Sequence, residues 1–390
     1  MSKKILVITF EMPPLQGGGI SRVSHDKICC FLQNGYQVIL VAPKAELDCP
    51  GSETCEYHEI SSRNNVKKTI QSMVLSVRIL KKYPIDFIYG FSGTYVGLVA
   101  WTVSLFYKTR YFVMAHGAEF LKYKDNVIVR SILRLIYNGA TKVIAVSDFT
   151  KKKLEEIGVR PDNITVAHNG IRVERFRVAS TEDIDRIRRR HSIAKNKFVL
   201  LTISRLSRRK SHLAVLKALA KICAINPAFK KDFLYLIGGK GPEESAILEA
   251  IEEQNLGENV ILLGFIPDEE LTAYYSLADL FVMPSVSIEG EKNVEGFGIV
   301  FLEAGACGTP SIAGIDGGMP DAVYDGLTGY TVDGHSIDEI SEKILFLYKD
   351  RGKLEEMSKN AKRIVTSEFS IEYLVKKELH DIVRFHSSCG

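Results

Sequence analysis

The chain has 390 residues, 46% apolar and 25% charged, a balance that excludes a disordered chain and a disulfide-dense miniprotein and leaves material for two or three globular domains. The net charge of +4 hides an asymmetry: residues 1–180 hold 25 Lys and Arg against 15 Asp and Glu, a net of +10, while the remainder holds 26 against 32, a net of −6. A basic first half suits an anionic partner such as a membrane surface or an acidic substrate, and a solvated surface with one polyanion site fits the same counts equally well.

At the N-terminus, "MSKKILVITF" reads as a first β-strand, because its apolar run is too short for a signal peptide and lacks a small-residue cleavage site. The turn "PPLQGGGISR" then leads into a helix. Gly17, Gly18 and Gly19 permit close backbone approach to a ligand, and the helix N-terminus favours an anion. Arg22 stands where a G-x-G-x-x-G fingerprint needs its last glycine, so a tight structural turn explains the stretch as well as a binding loop does. Further buried strands are expected at "QVILVAP", "DFIYGF", "RYFVMAH" and "KVIAVS". From Phe87 to Tyr107 no residue is charged over a length able to span a bilayer. Gly90, Gly93 and Gly97 interrupt that run, which therefore reads as a buried strand and a buried helix joined by a glycine turn.

The segment 170–197 is charged and strand-poor, and the linker between two domains is placed there. Its "DID" triplet, Asp183 to Asp185, lies in a helical, Arg-rich stretch and reads as surface charge. The second half repeats the strand–helix alternation with "FVLLTIS", "FLYLIGG", "NVILLGF", "LFVMPS" and "PSIAGI". Continuous apolar strands with helical crossovers imply parallel sheets covered on both faces. The expected architecture is α/β, two doubly wound, Rossmann-like domains facing across a cleft. Residues 1–175 form the first, with a terminal helix from about 370 to 390, and residues 176–369 the second.

Several loops of the second half carry candidate chemistry. "LLTISRLSRRKSH" places Arg205 just after a strand and Lys210 at the expected start of the next helix, two cations able to face one diphosphate, or else part of a solvated basic loop. "YLIGGKGPEES" ends a strand at Gly239, and "LLGFIPDEEL" exposes backbone around Ile266 that can read a nucleobase edge. In "VEGFGIVFLEAGACGTP", Glu295 and Glu303 stand eight residues apart, with only glycines and apolar residues between them. Gly296 and Gly298 mark a turn before a helix, so the N–H groups of Phe297, Gly298 and Ile299 lie at a positive helix end suited to phosphate. The two carboxylates can accept hydroxyl hydrogen bonds from a sugar or ribose, with Arg205 or Lys210 offsetting the burial of Glu303.

"RLSRRK" followed by "VEGFGIVFLEAGACGTP" resembles the E-x7-E signature of retaining glycosyltransferases of family 4, which have the two-domain GT-B fold. The resemblance runs through "PPLQGGG", "AHGAE", "VSDFTKKKL", "HNGI", "GGKGPE", "GFIPDEEL", "ADLFVMPS" and "GGMPDAVYDGLTGY" in order, and is nearest to the bacterial phosphatidylinositol-mannoside-type mannosyltransferases. It implies a hexose donated by a nucleoside-diphosphate sugar, UDP- or GDP-linked, to an acceptor hydroxyl with retained configuration, in glycan, lipopolysaccharide, capsule or glycolipid synthesis. It also implies that Arg205 and Lys210 hold the diphosphate, Glu303 the ribose, the Ile266 backbone the base, and Glu295 the sugar hydroxyls. His116 in "AHGAE" would reach the donor sugar, Gly18 and Gly19 would approach the phosphate and acceptor, and Glu119 would stand on the acceptor side. A histidine after a strand is otherwise a common structural residue. The chain departs from the family at Ser211, where Gly is usual, and at Asp321, where Glu is common. No metal, cofactor or nucleic acid is called for, since cations and a helix end already lie where charge develops on the leaving diphosphate.

The acceptor is less legible. "NNVKKTIQSMVLSVRILKKYP", residues 64–84, sets Lys67, Lys68, Arg78, Lys81 and Lys82 around an apolar stripe. Such a helix suits an anionic membrane, or is an ordinary surface helix with one buried face. Seven cysteines without a C-x-x-C pair read as reduced thiols, and the protein as cytoplasmic and peripheral on the inner membrane face. A nucleotide-sugar 2-epimerase of the same architecture and an inactive nucleotide-sugar-binding protein are the alternatives.

Overall fold

The computed structural model describes residues 3–13, 18–44, 46–123, 125–288 and 294–387, with side chains described up to residue 382. Gly17 and Asn293 lie outside the described residues. The chain divides into two compact units, Met1–Gly170 with Ile371–Gly390, and Ile171–Ser370.

The first unit runs β1 (Lys4–Ile8), α1 (Gly19–Gln33), β2 (Gln37–Ala42), β3 (Glu56–Glu59), α2 (Asn65–Lys82), β4 (Phe87–Gly90) and α3 (Tyr95–Tyr107). It continues through β5 (Tyr111–Ala115), α4 (Ala118–Leu121), α5 (Val127–Gly139), β6 (Lys142–Ala145), α6 (Asp148–Glu156) and β7 (Ile164–Val166). All seven strands are parallel, in the order β3-β2-β1-β4-β5-β6-β7. Four of the five residues of β1 are buried because strands pair with it on both edges and side chains cover both of its faces. Phe87–Tyr107 resolves into strand β4 and the thirteen-residue helix α3. Among the described residues, no helix is long and apolar enough to cross a membrane.

The second unit contains α7 (Thr181–Arg190), β8 (Phe198–Ile203), α8 (His212–Ile225), α9 (Pro227–Asp232), β9 (Phe233–Gly238), α10 (Glu244–Glu253), β10 (Val260–Gly264) and α11 (Leu271–Leu277). After these come β11 (Leu280–Met283), α12 (Ile299–Ala306), β12 (Ser311–Gly314), β13 (Gly329–Val332), α13 (Ile337–Lys349) and α14 (Arg351–Glu368). Its six parallel strands follow the order β10-β9-β8-β11-β12-β13. Strand order reverses at β1/β4 in one sheet and at β8/β11 in the other. At such a point the crossover helices leave on opposite faces and open a crevice at the carboxyl ends of the strands.

The last helix, α15 (Ile371–Ser387), belongs to the first unit and packs on α1. Lys27 of α1, fully buried, sets its ammonium 2.5 Å from Glu378 Oε2 of α15, and the Tyr89 hydroxyl of β4 donates to Glu378 Oε1 at 2.5 Å. Burial, followed by the Glu378 charge, raises the Tyr89 phenol well above its ordinary range, so it remains a donor.

One expectation is corrected. Cys29 of α1 and Cys49, on the loop after β2, are joined as a disulfide, with Cα atoms 5.9 Å apart. Packing of α1 against the loop after β2 brings together two residues 20 apart in sequence. The reading of seven reduced thiols is therefore corrected at these two positions. Cys30, Cys55, Cys223 and Cys307 remain thiols.

The buried Lys27–Glu378 pair generates a test. Lys27→Ala leaves a carboxylate uncompensated in the core and is expected to cost about 3–5 kcal/mol in urea unfolding, whereas the double replacement Lys27→Met with Glu378→Gln costs much less.

Candidate functional site

In the second unit, the carboxyl ends of β8, β9 and β10 are locked to one another through backbone. Ser204 N donates to Gly238 O at 3.0 Å, Leu206 N to Lys240 O at 3.1 Å, and Gly239 N to Gly264 O at 2.6 Å. Gly239 is obligatory: its φ is +131°, and a Cβ there would lie 1.8 Å from the Ser204 carbonyl oxygen. Ile266 is 6% exposed and packs so closely on Gly238 that a Cβ on that glycine would meet its Cδ1 at 2.4 Å. Arg205 is exposed at the end of β8 and has no ion-pair partner among the described residues.

Lys210 ends a single 3-10 turn, Arg208–Lys210, and so precedes α8 rather than opening it. Its ammonium is buried 2.5 Å from Glu295 Oε2 and 3.4 Å from the Met283 sulfur. Arg209 Nη1 reaches the same oxygen at 2.8 Å. Burial pulls the Glu295 carboxyl upward, but Lys210 and Arg209 outweigh it and hold the group down at about 2. Burial lowers Lys210 against the pull of Glu295. Two cations around one carboxylate leave a net positive charge at this point. Glu295 is also fixed through its backbone: its carbonyl accepts the Gly318 N–H at 2.9 Å, and a Cβ on Gly317 would approach that oxygen to 2.3 Å. The "GGMPD" loop thus holds the loop that carries the carboxylate.

Helix α12 opens immediately downstream. Gly298 caps it at φ 93°, where a Cβ would strike the Phe301 ring at 2.6 Å. The N–H groups at Gly298 and Ile299 have no acceptor within the helix. Glu303 is 3% exposed, one turn further on, and its Oε2 accepts the Tyr275 hydroxyl of α11 at 2.8 Å. The expected offset of Glu303 by Arg205 or Lys210 is corrected: Lys210 is committed to Glu295, and Tyr275 stabilises Glu303. Neither Arg209 nor Tyr275 was singled out from the sequence. Arg209 stood in a basic run that read as solvated, and Tyr275 lies 28 residues from its partner.

In the first unit, Gly18 caps α1 at φ 123°, and a Cβ there would meet nothing within 4 Å. Gly18 and Gly19 are exposed. The carboxyl ends of β1, β4 and β5 surround a cavity of about 190 Å³ lined by Glu11, Lys68, Tyr95, His116, Glu119 and Lys122 among others. The imidazole of His116 lies with Nε2 2.9 Å from the Phe91 carbonyl. A carbonyl only accepts, so Nε2 bears the hydrogen and Nδ1 the lone pair. Burial, followed by the Lys27 charge, holds His116 down at about 4, so it is a neutral acceptor at physiological pH. Glu119 Oε1 accepts the His116 backbone N–H at 2.7 Å, while its Oε2 is buried without a partner. Burial pushes the Glu119 carboxyl up to about 7 and also raises Glu11. A larger cavity of about 310 Å³ lies beneath α15, against Phe112, Ile144 and Val166, and holds none of the expected site residues.

Residues 17–175 match the family described as Glycosyltransferase Family 4, and residues 183–364 match Glycosyl transferases group 1. A Corynebacterium glutamicum protein described as a GDP-mannose-dependent monoacylated alpha-(1-6)-phosphatidylinositol monomannoside mannosyltransferase is 29% identical over 96% of both chains. A Mycobacterium tuberculosis protein described as a GDP-mannose-dependent alpha-(1-6)-phosphatidylinositol monomannoside mannosyltransferase is 26% identical over 98% of both. In fold, the chain is similar to Anabaena HepE solved with UDP and glucose, with a TM-score of 0.78 and 20% identity over 98% of this chain and 100% of that one. The chain belongs to the glycosyltransferases, as a two-domain GT-B hexosyltransferase that draws on a nucleotide sugar.

The ion cluster sets a pH dependence. Glu295 titrates at about 2, below the usual 4.5, so its pairing stabilises the fold fully above pH 4.5 and is lost as pH falls through 2. In urea unfolding, the stability difference between the parent and Glu295→Gln should be constant from pH 5 to 7 and shrink from about 4.5 downward.

Proposed function

We propose that this chain transfers mannose from GDP-mannose, with retention, to a hydroxyl of a phosphoinositide-type glycolipid at an anionic membrane surface. The observation that supports it most is the Glu295 carboxylate held by Lys210 and Arg209 just before the N-terminus of α12, a net cationic point next to the first-turn N–H groups of a helix. The named donors and acceptors of the two curated relatives support the choice of sugar, nucleotide and lipid.

In this reading Arg205 and Lys210 hold the diphosphate with the N–H groups of Phe297 to Ile299, Glu303 binds the ribose, and Ile266 and Gly239 offer backbone to the base. Glu295 orients donor-sugar hydroxyls, while in the first unit His116 binds a sugar and Gly18 and Gly19 offer backbone to phosphate or acceptor. Glu119 binds acceptor hydroxyls in the cavity it lines. The anomeric carbon–oxygen bond breaks with its electron pair passing to the diphosphate, where the fixed positive charges stabilise it. The acceptor oxygen bonds to the anomeric carbon on the same face, and its proton passes to the leaving phosphate oxygen.

The reading is tested with purified protein, a panel of UDP-, GDP- and ADP-sugars, and a phosphoinositide monomannoside acceptor. GDP-mannose is expected to give the largest rise in melting temperature. Lys210→Ala and Glu295→Gln should each lower transfer at least about a hundredfold. Epimerised nucleotide sugar formed without acceptor, a trapped glycosyl–Glu295 adduct, or wild-type transfer by both variants would each overturn it.

A further inference from the structure

A single cation matches the charge of a carboxylate, yet Glu295 is met by two. Lys210 Nζ and Arg209 Nη1 reach the same oxygen, Oε2, at 2.5 Å and 2.8 Å. The two cations are not equivalent. The Lys210 side chain is 8% exposed and that of Arg209 22%, and Lys210 exerts the larger pull on the Glu295 carboxyl. Besides Glu295, the Lys210 ammonium meets the Met283 sulfur at 3.4 Å. A thioether is a weak acceptor, so an ammonium with three hydrogens keeps the capacity to serve a stronger one there.

Arg209 is set differently. Its carbonyl accepts the Val286 N–H at 2.8 Å, which ties its backbone to the segment after β11. The 3-10 turn that carries it is closed by the Lys210 N–H donating to Ser207 O at 2.9 Å. The guanidinium thus reaches Glu295 from a backbone that is fixed without that contact. It stays charged at any working pH and presents five donors in a planar fork that fits the two oxygens of a carboxylate. A diphosphate drawing on Lys210 puts one ammonium between two anions. With no other cation present, a mostly buried carboxylate would then be short of a partner, which is costly.

We infer that Arg209 is a positioning residue: as a diphosphate draws on Lys210, Arg209 keeps the Glu295 carboxylate paired and in place, so that the lysine serves both anions and strands neither. Arg209 acts through Glu295 and does not touch the nucleotide. This role rests on the proposed reading of Lys210 as a diphosphate ligand, and it accounts for the cluster holding one more cation than its carboxylate needs.

The test measures GDP and GMP affinities by titration calorimetry on the full chain, for the parent, Arg209→Gln, Arg209→Lys, Glu295→Gln and the double variant Arg209→Gln with Glu295→Gln. Arg209→Gln should weaken GDP about tenfold while leaving GMP within about twofold of the parent, and Arg209→Lys should restore most of the loss. In the Glu295→Gln background no carboxylate remains to be matched, so adding Arg209→Gln should change GDP affinity by less than about twofold. Parent-like GDP affinity in Arg209→Gln, or an equal loss of GDP and GMP, would overturn the inference. So would an undiminished tenfold loss in the Glu295→Gln background, which would mean that Arg209 contacts the diphosphate itself. Failure of the underlying reading looks different: Lys210→Ala would then leave the preference for GDP intact, whereas failure of the inference alone leaves Lys210→Ala impaired and Arg209→Gln like the parent.

Discussion

Glu295 is a carboxylate in a mostly buried position, and the ion cluster around it depends on how its charge is met. A buried anion is costly unless paired. Here the turn after β8 supplies Lys210 and Arg209, and the Gly317–Gly318 backbone fixes the loop from the other side. The pairing ties three segments far apart in sequence to the point where strand order reverses. Lys210 is equally dependent: burial, and then Arg209, lower its ammonium, and Glu295 pulls the other way. Removing Glu295 leaves Lys210 and Arg209 as neighbouring uncompensated cations, whereas removing Lys210 leaves Arg209 alone to meet the carboxylate.

In the proposed reading the same arrangement serves the chemistry. Two cations and one anion leave a net positive charge, which would stabilise a leaving diphosphate, and the cap of α12 adds backbone dipoles held by Gly298. Nothing need reorganise when the charge appears, because the pairing and the glycine-enforced turns already hold these groups in place. Glu303 is buried by other means, with Tyr275 donating to it. The two glutamates of the repeated-acid signature are therefore distinguished by their partners, one charge-compensated and one hydrogen-bonded by a phenol.

Much of this was legible in the sequence, for a physical reason. The ten strands expected from apolar runs are the interior strands, which are buried on both faces, and β10, a half-buried edge whose run of Val, Ile and Leu is just as apolar. The three strands not expected, β3, β7 and β13, are all sheet edges. "EYHE" in β3 is half solvated, and "ITV" in β7 is only three residues long, so neither carries a buried-strand pattern. Glycines were legible where a side chain has no room, as at Gly239 against the Ser204 carbonyl and at Gly298 against the Phe301 ring. The partners of the site residues were not: Arg209 and Tyr275 act through tertiary contacts that no local spacing encodes. The Cys29–Cys49 pair was missed likewise, since a spacing of 20 carries no signal until α1 packs on the loop after β2.

The most direct measurement of the central claim is calorimetric binding of GDP and GMP to the parent chain and to Lys210→Ala. If Lys210 and the α12 N-terminus hold a diphosphate, the parent should bind GDP at least about tenfold more tightly than GMP, and Lys210→Ala should remove most of that difference while leaving GMP binding nearly unchanged. Equal affinity for GDP and GMP in the parent, or an undiminished preference for GDP in the variant, would contradict the account.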